Sequence, residues 1–359
     1  MRSQAHDSSI HVDASEVAPR LRAWLASGAV QSPAGAFCAW KQSDTGNLAF
    51  EYPEITGYAL THLAQHEPTD AERAAGARAV GWLRERGSFV CLAARGEWDG
   101  QAVYNFDLAM IASGLMNFGR RTGDEEAAAA GAGLAEDLCT QHRAEGVLPS
   151  IRARHRRPSA RSAWSTEGFA HLVKTVQCLL VHGGEEPRHV AGEIVEASRA
   201  SQKPDGRFVT HPGDTETMLH PHLYAVEGLW MFAEVTGDED ARERAKAGGD
   251  WAWAHQLETG GFPCFVPISE PDEFAPEQFD ATSQALRMAA LLDIGGDGRA
   301  KAAARLAQVV RPDGEAGLAL PHQPSVGPAH LNAWVSMFGF QALHVVQAGR
   351  AALPWHYLV

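Results

Sequence analysis

The sequence predicts an all-α fold, an (α/α)6 toroid built from six helical hairpins. Glycines that end a helix recur at a nearly constant spacing, and each interval holds two helical patterns of different polarity. Such a period is the signature of a repeat architecture. The glycines that close the first helix of each pair, with successive differences of 52, 59, 60, 55 and 53 residues, are Gly35, Gly87, Gly146, Gly206, Gly261 and Gly314.

The two helices of a pair differ in composition. The first is charged, as in the stretch from Glu239 to Lys246, whereas the second is apolar on most faces, as in the stretch from Leu223 to Phe232. A helix that is hydrophobic nearly all round is buried. The charged helices therefore form an outer ring and the apolar helices an inner ring. An open α-solenoid is the alternative, but it requires polar capping units that the chain does not supply.

The elements follow one another in a regular order. Residues 1–13 are predicted to be a flexible leader, residues 14–350 a single toroid and residues 351–359 a C-terminal tail. The helix that begins near Ala14 completes the outer ring. The outer helices then begin near Pro68, Thr122, Gly183, Thr236 and Gly295, and the inner helices near Pro53, Tyr104, Trp164, Leu219, Glu277 and His330.

Loop lengths indicate which end of the toroid is functional. Turns from an inner to an outer helix are short, as at Arg121-Thr122-Gly123, whereas the reverse connections are long. Long loops in compact domains are usually functional. They lead into the N-termini of the inner helices, which present unpaired N–H groups and partial positive charge. The sequence therefore predicts a cavity at this end for an anionic or hydroxyl-rich ligand.

Polar and aromatic residues cluster where the inner helices begin. Carboxylates and phenols transfer protons, and indoles stack on sugar rings, so the pattern predicts sugar chemistry. Helix capping is the alternative role for the carboxylates, in particular Asp107 and Asp280. The predicted catalytic residues are Tyr52, Glu54, Tyr104, Asp107, Tyr224 and Asp280. The predicted substrate-binding residues here are Glu51, Trp164, Glu167, His220, His222, Gln278, His330, Asn332 and Trp334.

An arginine-rich loop precedes the third inner helix. It carries five arginines between positions 152 and 161 of an otherwise acidic protein. Guanidinium groups bind carboxylate, sulfate and phosphate through paired hydrogen bonds, so Arg154, Arg157 and Arg161 are predicted to bind substrate. The alternative is a solvated loop or a patch that binds RNA.

Composition narrows the class of protein. A net charge of −13 argues against a general nucleic-acid binder, and 45% hydrophobic residues exclude a disordered chain. Five scattered cysteines without a Cys-x-x-Cys pair favour reduced thiols. No signal peptide or membrane-spanning run is visible, so a cytoplasmic protein without a membrane partner is expected.

His220 and His222 with Cys264 lack zinc-site spacing, so no metal or cofactor is expected.

Two stretches carry a family resemblance. The stretch from Tyr52 to Tyr58, Tyr-Pro-Glu-Ile-Thr-Gly-Tyr, the stretch Tyr104-Asn105-Phe106-Asp107 and the Thr-Gly-Asp helix starts resemble bacterial proteins related to the helical domain of D-glucuronyl C5-epimerases. More loosely, they resemble six-hairpin glycosidases and polysaccharide lyases. The resemblance implies the toroid, a cleft for a uronic-acid glycan, and tyrosine and carboxylate as proton-transfer groups. It places Tyr52, Glu54 and Tyr104 in that cleft, and Tyr224 by analogy between repeats.

These observations predict a glycan- or sugar-active enzyme acting on an anionic, uronate-like substrate. A tyrosine is expected to remove the proton next to the carboxylate, while arginine and the helix N-termini stabilise the intermediate, as in an epimerase or lyase. One alternative is a glycoside hydrolase with paired carboxylates, such as Glu54 with Asp107 or Asp280. Another is a non-catalytic toroid that binds a glycan or a partner protein.

Overall fold

The predicted all-α toroid is confirmed. The computed structural model describes residues 14–86, 103–152, 164–269, 275–310, 315–319 and 330–359. The predicted leader, Cys91 and most of the arginine-rich loop lie outside these ranges. Within them, each inner helix contacts the next and the last contacts the first, so the inner ring is closed.

The outer ring consists of the charged helices predicted from the sequence. Its members are α1 (Ala14–Ala26), α3 (Asp70–Arg86), α5 (Glu125–Glu145), α8 (Glu185–Ala197), α10 (Glu239–Trp253) and α12 (Gly298–Val309). The side chains of Asp124 and Asp238 cap α5 and α10 by accepting backbone N–H groups at 3.0 and 2.9 Å. These are the Thr-Gly-Asp starts seen in the sequence.

The inner ring is far more buried than the outer ring. Every residue of the first inner helix, α2 (Pro53–Ala64), is buried, whereas the outer helix α10 buries a single face. The third inner element is divided into α6 (Trp164–Glu167), a 3₁₀ helix (Ala170–Thr175) and α7 (Val176–His182). The other inner helices are α2 (Pro53–Ala64), α4 (Asn105–Thr122), α9 (Leu219–Thr236), α11 (Phe279–Leu292) and α13 (Ala333–Ala348).

A glutamine-glycine turn recurs after the outer helices. Each glutamine donates its side-chain amide to the carbonyl of the glycine four residues later and to a carbonyl of the following outer helix. The three pairs are Gln31 with Gly35, Gln202 with Gly206, and Gln256 with Gly260. All three glycines have positive φ, which favours glycine. The glycine that ends this repeat is therefore Gly260, and not Gly261 as the sequence predicts.

Short strands join the loops at the end where the inner helices begin, here called the mouth. β1 (Trp40–Gln42) pairs with β4 (His330–Asn332), and this antiparallel pair links the first and last repeats. β2 (Glu216–Met218) pairs with β3 (Phe265–Pro267) in the same way. The long loops are therefore hydrogen-bonded to one another around the mouth.

The segment predicted as a C-terminal tail is part of the packed fold and covers the end of the ring opposite the mouth. Its backbone carbonyls accept hydrogen bonds from inner-helix amides. Gln177 binds Leu358 O at 2.7 Å, Gln341 binds Tyr357 O at 2.6 Å, and Asn117 binds His356 O at 2.6 Å. Leu358 and Val359 are fully buried. Buried backbone carbonyls need such partners, which explains the amides on these helices.

A buried ionic cluster ties three inner elements together. The carboxylate of Glu227 on α9 accepts from Lys174 Nζ at 2.6 Å and from Arg287 Nη2 at 2.6 Å. All three side chains are fully buried. Burial raises the pKa of Glu227, but Arg287 and Lys174 outweigh it and hold that pKa below its usual range. The close approach of α9 to the 3₁₀ helix occurs at Gly228, where a Cβ would lie 2.2 Å from Val173 O.

Two further observations concern membrane-spanning helices and cysteine thiols. No described helix combines the length and the apolar character needed to cross a bilayer. The four cysteines inside the described ranges are buried free thiols, namely Cys38, Cys139, Cys178 and Cys264.

Gly114→Ala is expected to destabilise the protein by more than about 1 kcal/mol, because the new methyl group would lie 2.2 Å from Gly57 O, where α4 crosses α2. The matched control is Gly133→Ala in the middle of α5, where no atom lies within 4 Å of the new Cβ. That change is expected to stabilise by about 0.5–1 kcal/mol, since alanine favours helix. Chemical denaturation measures both, and equal effects would contradict the close helix crossing.

Glu227→Gln is expected to destabilise by about 3–5 kcal/mol, because it leaves Arg287 buried without a carboxylate partner. Glu234→Gln on the same helix is the control. Glu234 pairs with Arg242 and Arg350 in partly exposed bridges, so its loss should cost at most about 1 kcal/mol. Free energies of unfolding that do not differ between the two variants would argue against the cluster as a structural constraint.

Candidate active site

Inner-helix residues two and six positions after the N-cap face the centre of the inner ring, a region here called the cavity. These positions lie one turn apart on the same helix face. Side chains from different helices meet there: the hydroxyls of Tyr58 and Tyr224 are 2.8 Å apart, and the rings of Tyr224 and Phe106 are 4.9 Å apart. The first set comprises Glu54, Phe106, His220, Asp280 and Trp334, and the second comprises Tyr58, Tyr224, Gln284 and Phe338.

The fourth position after the N-cap has a structural role instead. There, the side chain accepts a backbone N–H from the preceding loop at 2.9–3.1 Å, as seen for Thr56, His222, Thr282 and Ser336. His222 also contacts Gly248 O at 2.9 Å through Nε2 and is fully buried. Both of its ring nitrogens are therefore engaged away from the cavity, which corrects its predicted place among the substrate-binding residues.

Glu54 and Asp107 form a carboxyl pair at the mouth. Glu54 is the second residue of α2, and Asp107 lies in the first turn of α4. Burial, and then the negative charge of Asp107, raise the pKa of Glu54 well above its usual range, although a hydrogen bond from Tyr52 and the charge of Lys174 oppose the shift. The shift favours the protonated acid of Glu54 over its carboxylate.

His220 and Asp280 form a second polar group across the cavity. His220 Nδ1 lies 2.7 Å from Gln284 Oε1 and 3.5 Å from Asp280 Oδ2. Asp280 also accepts from Ala281 N at 2.6 Å and from Gln278 Nε2 at 3.0 Å. Burial lowers the pKa of His220, while Asp280 counteracts it. The imidazole is therefore neutral near pH 7 and able to accept a proton.

The phenols at the centre of the cavity are poor bases. Tyr58 donates its hydroxyl hydrogen to Tyr224, and both rings are buried. Burial raises the pKa of each phenol well above its usual value. Lys174 Nζ lies over the Tyr224 ring, 5.2 Å from its centroid. Tyr224 thus remains protonated, which assigns it a hydrogen-bonding role in place of the predicted proton abstraction.

Aromatic rings form one wall of the cavity. The indole of Trp164 packs edge-on against His171 at 5.2 Å and against His220 at 5.8 Å. Trp164, which is predicted to bind substrate, thus lies beside both imidazoles. His171, which the sequence reasoning missed, is buried, and burial lowers its pKa to about 3.

The remaining predicted residues lie at the rim or elsewhere. Tyr104 bridges to Ile151 at the start of α4, and Glu51 accepts from Ser32 Oγ at 2.6 Å. Trp334 is half-buried, and Glu167 is exposed. His330 lies in β4, and Asn332 caps α13 by accepting from Val335 N at 3.1 Å. Arg154, Arg157 and Arg161 lie outside the described residues.

The sequence reasoning missed the residues that support the site from below. Tyr58, Gln284 and Phe338 lie one turn after Glu54, Asp280 and Trp334, respectively. Glu227 and Arg287 lie three residues after Tyr224 and Gln284 on the same helices. The helical spacing from the N-cap could have identified them. Lys174 could not be found in this way, because its inner element is broken at Gly168.

A metal centre is not evident in the part of the chain that the structure describes, since no three histidine, cysteine, aspartate or glutamate side chains are grouped for one. His220 and Asp280 are instead engaged with amides and with each other. What the arrangement can do chemically is donate a proton from Glu54 and accept one at His220.

Comparison with solved structures identifies proteins of the same fold. D-mannose isomerase superposes with a TM-score of 0.72 at 14% identity, covering 97% of this chain and 100% of that one. A sugar epimerase from a ruminal bacterium gives 0.71 at 14% identity, with coverage of 92% and 99%. The unsaturated glucuronyl hydrolase of Bacillus sp. GL1 gives 0.67 at 16% identity, with coverage of 93% and 96%.

At the sequence level there is no such likeness. No protein-family model matches the chain, and no curated protein matches it significantly. The structural neighbours, which also include a GH76 α-1,6-mannanase, establish that the chain has the fold of six-hairpin (α/α)6 enzymes.

Proposed function

We propose that this protein is a sugar-active enzyme that transfers protons at carbon, as an epimerase or isomerase does. The observation that carries the proposal is the imidazole of His220, held at Nδ1 by Gln284 and Asp280, in the same buried centre as the carboxyl of Glu54, whose pKa is raised. The His220 ring lies 4.4 Å from the Tyr224 ring, and the charge of Glu54 also acts on the Tyr224 hydroxyl. The epimerase and isomerase among its structural neighbours support this reaction class.

The reaction follows from these two groups. His220 removes a proton from the carbon next to the substrate carbonyl or carboxylate, and the electron pair moves onto the oxygen as an enediol-like intermediate. Glu54 donates a proton to that oxygen, and the Tyr224 hydroxyl, which accepts from Tyr58, keeps its own hydrogen for a hydrogen bond. In isomerisation His220 returns its proton to the neighbouring carbon, while Glu54 takes back a proton from the other enediol hydroxyl. In epimerisation the carbon receives a proton from water on its opposite face, Glu54 takes back the proton that it gave, and His220 releases its proton to water.

The anionic preference of the substrate remains part of the proposal. Lys174 and Arg287 share Glu227, so the cluster adds little free positive charge to the cavity. Recognition of a uronate would depend on the helix N-termini and on the arginine-rich loop before α6. We also propose a cytoplasmic enzyme without a nucleic-acid partner, in line with its net charge of −13.

Glycoside hydrolysis is the second candidate, favoured by one observation. Burial and the charge of Asp107 raise the pKa of Glu54, and an acid with a raised pKa paired with a second carboxyl group is the arrangement that glycosidases use. In this reaction Glu54 would protonate the departing sugar oxygen, and Asp107 would act on water or on the anomeric carbon.

Incubation with aldoses, ketoses and uronate oligosaccharides in deuterated water tests the first candidate. The wild-type protein is expected to introduce deuterium next to the carbonyl or carboxylate of at least one substrate, and His220→Gln should lower the rate by about 10²–10⁴-fold. His189→Gln, at an exposed position on α8, is the control and should not change it. New reducing ends without deuterium would select hydrolysis, an unsaturated product a lyase, and binding without any turnover a non-catalytic toroid.

The pH profile gives a second prediction. As the pH increases, activity should first rise, because His220 loses its proton with a pKa below 6.5. Activity should then fall when Glu54 loses its proton, at a pH above the usual titration range of a carboxyl group. Asp280→Asn removes a negative charge that favours the imidazolium, so the pKa of His220 falls and the acidic limb moves to lower pH. The control is Asp238→Asn, a helix-cap aspartate of α10, which should leave the limb in place. A limb unmoved by Asp280→Asn would exclude His220 as its origin.

A further inference from the structure

We infer that Gln284 is a positioning residue that fixes the tautomer of His220, with hydrogen on Nδ1 and the acceptor lone pair on Nε2. Nothing in the fold comparison assigns a role to this glutamine. It lies on α11 between two polar partners, with His220 Nδ1 at 2.7 Å from its Oε1 and Glu227 Oε1 at 3.3 Å from its Nε2.

Glu227 determines which way the amide of Gln284 faces. A carboxylate only accepts hydrogen bonds, so the amide atom that contacts Glu227 must be the NH2 group. The amide oxygen then faces His220. Since an amide oxygen also only accepts, the ring nitrogen that contacts it must carry the hydrogen.

The carboxylate of Glu227 cannot easily turn away from this arrangement. Lys174 binds Oε2, while Arg287 Nε and Nη2 bind Oε1 at 3.1 and 2.6 Å. All of these groups, and Gln284, are fully buried. A chain of hydrogen bonds therefore runs from Lys174 and Arg287, through a carboxylate and an amide, to one nitrogen of the imidazole.

Other groups around the ring agree with this tautomer. Asp280 Oδ2 lies 3.5 Å from the same Nδ1 and is also an acceptor. The other charged or titratable groups around His220 are Glu227, Lys174, His171 beyond Trp164, and Tyr224, whose ring lies 4.4 Å from the imidazole. The Asp280 contact is longer than a normal hydrogen bond, which leaves Gln284 as the principal acceptor.

His222 provides an internal reference of the opposite kind. Its Nδ1 accepts the backbone N–H of Phe208 at 3.1 Å, so its hydrogen lies on Nε2, which donates to Gly248 O at 2.9 Å. Two histidines separated by one proline thus hold opposite tautomers because their neighbours differ.

NMR of protein labelled with ¹⁵N in its histidines tests the inference on the intact chain. The spectrum should show His220 protonated at Nδ1 and His222 at Nε2, with the His220 signals identified by their loss in His220→Gln. A wild-type His220 protonated at Nε2 would overturn the inference. This measurement needs no activity, so it separates the tautomer from the proposed function, on which only the kinetic consequence rests.

Gln284→Met removes the acceptor while keeping the length of the side chain. The His220 nitrogen signals should move toward those of mixed tautomers, and those of His222 should not move. If the proposed reaction holds, kcat should fall at least about tenfold with KM changed less than about threefold, since orientation of the base is lost and not binding. Unchanged His220 signals in a folded variant would overturn the role of Gln284. If the variant does not fold, the wild-type spectrum still decides the tautomer.

Discussion

The salt-bridged carboxylate of Glu227 is the interaction on which the interior of this toroid depends. Lys174 and Arg287, from neighbouring inner elements, converge on it in the fully buried interior. Desolvating three charges is costly, and the cost is recovered only if the geometry is fixed and every polar atom has a partner. Arg287 accordingly binds Gln341 as well, at 3.0 Å, and Gln341 in turn binds the C-terminal segment. The cluster therefore links the cavity above it to the closed end of the ring below.

The regular helical phase explains why so many polar groups meet in one place. Counting from each N-cap, the second and sixth residues face the cavity, the fourth binds the preceding loop, and the ninth reaches the buried cluster on α9 and α11. Because the repeats are alike in backbone but not in side chain, one geometrical position supplies Glu54, His220 and Asp280 on three different helices. A functional site built in this way needs no unusual loop conformation.

The fold was predictable from the sequence because its signals are local and repeated. Charged and apolar helices alternate, and Thr-Gly-Asp starts mark the caps, so periodicity alone gave the two rings. Only the layer of the candidate site next to the mouth was predictable from the sequence. Glu54, Asp107, His220 and Asp280 begin helices and are conspicuous, whereas Gln284 and Glu227 lie within apolar helical patterns.

The misplacement of His222 has a specific physical cause. The pattern His220-Pro221-His222 gives two equivalent imidazoles, and only the packing of α9 against α10 distinguishes them. The choice of proton acceptor was likewise beyond the sequence. Tyr224 is a plausible base by residue type, but its burial beside Tyr58 and near Glu54 favours the neutral phenol.

Burial acts in opposite directions on the two groups that matter most. It raises the pKa of Glu54 and lowers that of His220, because in both cases the uncharged form is favoured in a poorly solvated cavity. In water near pH 7, a carboxyl group has already lost its proton and cannot act as an acid. In the toroid, the same burial moves both pKa values toward the uncharged form, so the carboxyl keeps its proton to higher pH and the imidazole loses its proton at lower pH. A single property of the toroid, the burial of its inner ring, therefore favours the acid form of Glu54 and the base form of His220 together.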